Sequence, residues 1–450
     1  MPTTHSKKEK SMSEHTDLLQ KTDPGSQVVA GSGSAFFWRN LLLRALAAMR
    51  AGRLTLVLPG GEEKIFGFDD NARVSARIIV RDEQFFKRCV LFGHIGFAEA
   101  YLDGLWDSDD IASVIALFLL NVTDCPVLEG SRNHARTFNL FGFVNQVQHM
   151  LRANNEKNSR KNIAHHYDLS NQLFALFLDE TMTYSCASFS RSEMSLKEAQ
   201  LEKYEKLCRK LRLQPSDQVL EIGCGWGGFA IYAATNYGCK VTAVTISQEQ
   251  FDFALERIAG LGLSDQIELV LKDYRQLTGL YDKIVSIEMI EAVGHEYIPV
   301  FFAQCDQLLK RDGLLALQMI TCPESRYDLL RHNTDFIQKH IFPGSLLISM
   351  RHITESLCRG SELSLHECED MGLSYAKTLE MWRANFESQL QNVVQLGFDQ
   401  TFIRKWRYYF GYCAAAFAMR NISVVQVVYT RPNNLHLSSD EWLNRFSSDK

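Results

Sequence analysis

No C-x-x-C pair occurs in this chain, although it carries 11 cysteines. A zinc ribbon or a thioredoxin-like redox site needs such pairs, so neither is expected, and no metal ligand set stands out. The cysteines are scattered and odd in number, and no secretory leader is seen, so reduced thiols in a cytoplasmic protein are the economical expectation. Apolar runs stay short of the ~20 residues that cross a bilayer; the longest, Ile111 to Leu120, follows Asp109 and Asp110. A basic excess is also missing: 48 Lys and Arg face 53 Asp and Glu, for a net charge of -5. That balance argues against bulk nucleic-acid binding.

What is present is a chain of 450 residues, 46% hydrophobic, with 28 phenylalanines. The length allows two or three domains and a large core. Residues 1–34 are rich in Ser, Thr, Lys, Glu and Gly and read as a disordered tail. Residues 35–122 read as a small α+β domain: a helix over "FFWRNLLLRALAAMRAG", a hairpin over "RLTLVLPGGEEKIFGF", a strand "ARIIVRD" and further helices. Its carboxylates Glu99, Asp103 and Asp107 read as caps and surface groups. Residues 123–160 form a connector in which Phe138, Leu140, Phe141, Phe143 and Val144 precede Arg152, Lys157, Arg160 and Lys161. Such a stretch suits an anionic bilayer surface as well as it suits a solvated interdomain helix.

Residues 161–450 make the catalytic part, and from residue 200 helix and strand alternate. Strands are expected at "QVLEIG", "KVTAVTIS", "IELVLKD", "YDKIVSIEMI", "GLLALQMIT" and "SVVQVVYT". This alternation predicts a doubly wound, mostly parallel α/β sheet that binds ligands at its strands' C-terminal ends. "VLEIGCGWGG" puts Gly223, Gly225, Gly227 and Gly228 where the first strand turns into a helix, and a G-x-G-x-G turn serves dinucleotides and methyl donors alike. Glu221 separates them, because a carboxylate so close to the turn repels a pyrophosphate. In the methyltransferases that this stretch resembles, an acid here lies near the cationic methionine end of S-adenosylmethionine. The second strand ends without the usual ribose-binding acid and offers Thr245, Ser247 and Gln250; Asp273, Tyr274 and Arg275 follow the third as an adenine edge.

Seven strings occur in one order: "HHYDLSNQLFALFLDETMTYSCASF", "LEIGCGWGGFAIYAA", "VTAVTISQEQ", "SIEMIEAVG", "FIQKHIFPG", "SYAKTLEMWRANF" and "YYFGYCAAAFAMRNI". Together they resemble the cyclopropane-fatty-acyl-phospholipid synthase family, including the mycolic acid cyclopropane synthases. The resemblance covers about Asn162 to Pro432, and "GFAEAYLDGLWDS" is similar, more loosely, to the extra domain of the phospholipid-modifying branch. It implies a class I methyltransferase, a Rossmann-like seven-stranded mixed sheet with helical cap insertions. It further implies transfer of a methylene from S-adenosylmethionine to a cis double bond of a phospholipid acyl chain, closing a cyclopropane ring. The enzyme would sit on the inner face of the membrane as a peripheral protein, and a homodimer is suggested by analogy. Two alternatives stand beside this reading: a C-methyltransferase making a methyl-branched chain, and a non-catalytic lipid-binding protein.

Carried over position by position, the resemblance gives a bound bicarbonate ion as the base, cradled by Cys186, Glu291, Gln318, Ile320 and Tyr375. Cys186 would serve through its backbone and small size, beside Tyr184 and Ser185 at the cofactor. Gln318 departs from the histidine of the best-known members; it can hydrogen-bond but not titrate, so bicarbonate is expected to be kept with an altered pH dependence. The family has also been credited with an active-site thiol at Cys413; Phe410, Cys413 and Phe417 share one helical face, which fits a tunnel wall at least as well. His165, His166 and His295 read first as structural, and Phe336 and Phe342 as lining apolar space under a cap.

Overall fold

The structure is a computed structural model that describes residues 33–67, 72–122, 170–438 and 443. The basic connector, His165 and His166 lie outside the described residues. Strands β1 (Arg53–Val57) and β2 (Glu63–Phe66) form the hairpin expected around the Pro-Gly-Gly turn, with Gly60 and Gly61 at φ 100° and 92°. Strand β3 (Ser75–Val80) runs parallel to β1, and a two-residue strand β4 (Trp106–Asp107) completes a sheet of order β2-β1-β3-β4. Helices α1 (Gly33–Leu46), α2 (Gln84–Leu102) and α3 (Ile111–Leu120) accompany this sheet. Asp110 caps α3, its carboxylate accepting from the Ala112 and Ser113 N–H groups.

The second sheet has seven strands in the order β10-β11-β9-β8-β5-β6-β7. They are β5 (Gln218–Ile222), β6 (Lys240–Thr245), β7 (Ile267–Leu271), β8 (Tyr281–Ile287), β9 (Leu309–Thr321), β10 (Ser364–Asp370) and β11 (Ser423–Thr430). Strands β5 to β9 pair in parallel, while β11 lies antiparallel between β9 and β10. The central strands are buried on both faces, as their continuous apolar runs require. Strand β10 was not foreseen: it is a mostly exposed edge of polar residues. The strand order reverses between β5 and β8, and that crevice is where such sheets take their ligands.

Helices α4 (Asn171–Phe177), α5 (Leu196–Lys210), α6 (Gly228–Tyr237), α7 (Gln248–Gly260) and α8 (Ile298–Leu308) precede or cross between strands. After β9 come α9 (Glu324–His332), α10 (Phe336–His340) and α11 (Met350–Gly360); after β10 come α12 (Gly372–Ser388), α13 (Leu390–Gln395) and α14 (Gln400–Ala418). Of these, α4, α9, α10, α12 and α14 build the cap.

The cap and the N-terminal sheet share one hydrophobic core, running from Leu54 and Trp106 through Phe174 and Trp382 to Phe410. Asp107 and Glu99 are not caps but join the parts: Asp107 pairs with Arg404 at 2.7 Å, and Glu99 with Lys339 at 2.7 Å. Arg404 also donates to the Trp106 carbonyl at 2.7 Å and lies over the Tyr101 ring at 3.9 Å. Helix α14 meets α3 where Gly411 faces Ile111; a Cβ at Gly411 would come 2.9 Å from the Ile111 side chain and 3.2 Å from the Ala112 nitrogen. Gly411→Val is therefore expected to lose about 1–3 kcal/mol by overpacking. Thermal unfolding measures it, and an unchanged Tm would refute the tight α3–α14 contact.

Candidate active site

A single cavity opens along the C-terminal ends of β5, β6 and β8 and continues under the cap. At its sheet side β5 delivers Glu221 and then turns at Gly223, where φ is 83° and an added Cβ would strike the Met289 side chain at 2.8 Å. Gly225, Thr245, Gln250, Asp273, Tyr274 and Arg275 line the same space. Thr245 Oγ1 donates to Gln250 Oε1 at 2.9 Å, and Arg275 pairs with Asp273 at 2.6 Å. Two expected residues stand behind this surface instead: Gly227 starts α6 in a left-handed turn, and Ser247 caps α7 by accepting from the Gln250 N–H. Tyr184 and Ser185 line the cavity from the loop before α5.

Glu221 is buried, and its Oε2 has no hydrogen-bond partner among the described residues. Burial pushes its carboxyl up to about 8. A buried acid that lines a cavity with one oxygen unpartnered suits a cationic ligand, so S-adenosylmethionine fits the residues present. Among the described residues no group of three or more His, Cys, Asp or Glu is placed to hold a metal.

Beyond the cofactor end lies a buried polar cradle whose centre, Glu288, the sequence reading passed over. Glu288 follows β8 in a left-handed conformation, φ 49°. Its Oε1 accepts from the Cys186 N–H at 2.9 Å and from Gln318 Nε2 at 2.7 Å; its Oε2 accepts from the Tyr375 hydroxyl at 2.8 Å. Gln318 also donates to the Cys186 carbonyl at 3.1 Å and accepts from Gln426 Nε2 at 3.0 Å. Glu291 accepts from the Ile320 N–H through Oε1, while its buried Oε2 has no partner among the described residues. Burial, reinforced by Glu288, pushes Glu291 up to about 8, and burial raises Glu288 as well. Lys203, fully buried on α5, donates to Ser185 Oγ at 2.8 Å and lies 4.5 Å from the Tyr204 ring centre. Desolvation brings its ammonium down to about 8 against the pull of Glu288.

The five residues assigned to a bicarbonate ion are thus brought together, but not as a vacant anion site. Cys186, Gln318 and Tyr375 donate to Glu288, and Ile320 donates to Glu291. Gln318 and Cys186 do not reach the cavity surface. Glu288 already claims three of these four donors, and its charge opposes a further anion beside it, so this donor set does not fit bicarbonate.

The Cys186 thiol is buried, raised by desolvation and turned to the Ala187 carbonyl at 3.2 Å, so only its backbone faces the cradle. The remaining walls are mainly apolar, with Arg326, Asn333, Asp335 and Asn421 among them. From α14 come Tyr409, Tyr412, Cys413, Ala416 and Phe417; Tyr375 and Leu379 come from α12, and Ile337 and Phe342 from the α10 region. Phe410 faces away into the aromatic cluster, 5.5 Å from Phe177, and Phe336 packs on Tyr408 at 4.7 Å, so neither lines the space. Burial raises the Cys413 thiol, leaving it protonated at neutral pH. His295 stacks on His352 at 4.1 Å and bonds the Tyr327 hydroxyl at 2.6 Å, outside the cavity.

Comparison with known proteins agrees with this geometry. Residues 154–427 match the family described as mycolic acid cyclopropane synthetase. The chain is 37% identical to tuberculostearic acid methyltransferase UfaA1 of Mycobacterium tuberculosis over 361 residues, 79% of this chain and 83% of that one. It is 35% identical to the cyclopropane-fatty-acyl-phospholipid synthase of Escherichia coli over 367 residues, 81% and 90% of the two chains. The crystal structure of mycolic acid cyclopropane synthase CmaA1 complexed with SAH and CTAB superposes with a TM-score of 0.56 at 31% identity, covering 60% of this chain and 98% of that one.

Two measurements probe the site. Binding a cation favours the ionised form of Glu221, which is protonated below about 8 without ligand. Affinity for S-adenosylmethionine is therefore expected to climb with pH and level off above that value, with a slope approaching about tenfold per pH unit. Calorimetry should show this for wild type and a flatter profile for Glu221→Gln; identical profiles would remove Glu221 from the role. Cys413→Ser is expected to keep most of its turnover, and loss of most activity with unchanged folding would make the thiol catalytic after all.

Proposed function

The chain belongs to the mycolic acid cyclopropane synthetase family of S-adenosylmethionine-dependent methyltransferases, and from that membership we propose that it closes cyclopropane rings on unsaturated phospholipid acyl chains at a membrane surface. The observation that carries the reading is the continuity of one cavity from Glu221 at the glycine turn to the aromatic wall of α12 and α14. S-adenosylmethionine, when bound, supplies an electrophilic methyl group. Glu221 and the Asp273–Arg275 edge hold its two ends, one by charge and one by shape.

An alkene is a weak nucleophile, so most of the rate must come from alignment and the exclusion of water. The buried walls supply both. Methyl addition leaves a carbocation on the acyl chain, and the rings of Tyr375, Phe417 and Tyr409 line the cavity in which it would form. Aromatic faces stabilise a desolvated cation by ~2 kcal/mol. The Glu288 carboxylate adds Coulombic stabilisation that water would otherwise screen. Loss of a proton from the new methyl carbon to a base of the cradle then lets the ring close.

The phospholipid and membrane part of the reading draws on α1, whose Phe36 and Phe37 are 62% and 58% exposed, while the neighbouring Arg39 is paired with Glu83. Exposed aromatic side chains on a helix suit the interface of a bilayer, here assigned to the cytoplasmic face. Among the described residues no helix is long and apolar enough to cross a membrane. A second reading, methylation without ring closure, is favoured by the likeness to a tuberculostearic acid methyltransferase.

Incubation with S-adenosylmethionine and cis-monounsaturated phospholipid vesicles, followed by proton NMR of the acyl chains, decides among these. Strained-ring protons are expected. Olefinic protons on an added carbon, or a methyl branch, would give the second reading its case. No label transfer from the donor's methyl group would leave only a lipid-binding protein.

A further inference from the structure

We propose that Glu288 is the resident base of this active site and that its carboxylate takes the place of a bound bicarbonate ion. The inference rests on the acyl-chain reading above and names the group that accepts the proton. Three hydrogen bonds fix the carboxylate: the Cys186 N–H, the Gln318 amide and the Tyr375 hydroxyl. A planar three-atom carboxylate held in this way presents the oxygen pair that a small oxyanion would present, without an ion having to enter a dry pocket. The backbone confirms the constraint. A non-glycine residue at φ 49° is strained, and such strain persists where the surroundings dictate it, most often at functional sites.

The oxygens divide the work. Oε1 receives two of the three bonds and is saturated, whereas Oε2 receives one, from Tyr375, and keeps a second lone pair. Glu288 and Tyr375 both line the cavity. In the proton-loss step a C–H bond of the transferred methyl group breaks, its electron pair closes the third ring bond onto the cationic carbon, and the proton passes to Oε2. No oxidant or reductant is needed, and the proton leaves to solvent once the product departs. Capture of the cation by the carboxylate is opposed by the same three bonds, which saturate Oε1 and hold the group in one orientation. Burial raises Glu288, which strengthens it as a base, and Lys203 keeps part of its charge balanced.

Two variants and one labelled ion test the assignment. Glu288→Gly empties the cradle at a backbone position that favours glycine, and Glu288→Gln fills it with a group of the same shape that is no base. Wild type is expected to turn over equally in carbon-dioxide-stripped buffer and with added bicarbonate, and not to broaden the NMR signal of 13C-bicarbonate. Both variants are expected to lose about 10²–10⁴-fold in turnover. Bicarbonate should restore part of the rate in Glu288→Gly, broaden its signal there, and do neither for Glu288→Gln. The proposal is overturned by wild-type turnover that falls on stripping and returns with bicarbonate, by bicarbonate binding to wild type, or by a Glu288→Gln enzyme of undiminished rate. A wild type that forms no product in either buffer refutes the acyl-chain reading instead, and the bicarbonate signal still reports whether the cradle is taken.

Discussion

One carboxylate, Glu288, held among three donors at the crossover between β5 and β8, is the constraint on which the rest of the site depends. Ionised acids in a dry pocket are costly unless donors surround them. Glu288 meets that demand by drawing donors from the loop before α5, from β9 and from α12. The same bonds therefore fasten the cap to the sheet, so the site cannot be charged correctly unless the cap is closed. Lys203 answers the remaining charge from below. It is tolerated in the core because Ser185, the Tyr204 ring and the nearby acids receive it.

Gln318 follows from the same demand. Its amide donates to both Glu288 and the Cys186 carbonyl and accepts from Gln426 on β11. A neutral imidazole carries one donor and one acceptor, and could not serve all three. Glutamine at this position is thus the partner of a resident carboxylate. The apolar half of the site has its own support: α14 presents Tyr409, Cys413 and Ala416 to the cavity while its back rests on α3 and Arg404 reaches Trp106. The N-terminal sheet in this way stiffens the acyl wall.

Much of this was legible in the sequence, for identifiable reasons. Strands β5, β6, β8, β9 and β11 announce themselves because burial on both faces demands unbroken apolar runs. Strand β10 does not, since an exposed edge can be written in Ser, His, Glu and Asp; β4 is too short for any period to show. Glu221 was legible because a carboxylate so close to the glycine turn repels a pyrophosphate and suits a cationic ligand. Gly227 and Ser247 were placed one step too far forward, because spacing shows where a turn lies but not which of its residues look outward. Lys203 left a signal that went unused: it occupies the apolar stripe of α5 with Leu196, Ala199 and Leu207. Glu288 sits three residues from Glu291 in one string, and only the convergence of three separate chain segments on its carboxylate distinguishes the two.

Where that carboxylate stands also bears on which product forms. The cation left by methyl addition has several C–H bonds beside it, and a strong base close by removes whichever proton it reaches first. A base fixed at the methyl carbon gives the ring; one displaced along the chain gives an alkene, from which a branched chain follows by reduction. A diffusible ion could sample more than one of these positions, whereas Glu288 cannot, being pinned by three bonds and a strained backbone. With Glu288 as the base, product identity would be set by how the walls from α12 and α14 seat an acyl chain against a stationary oxygen.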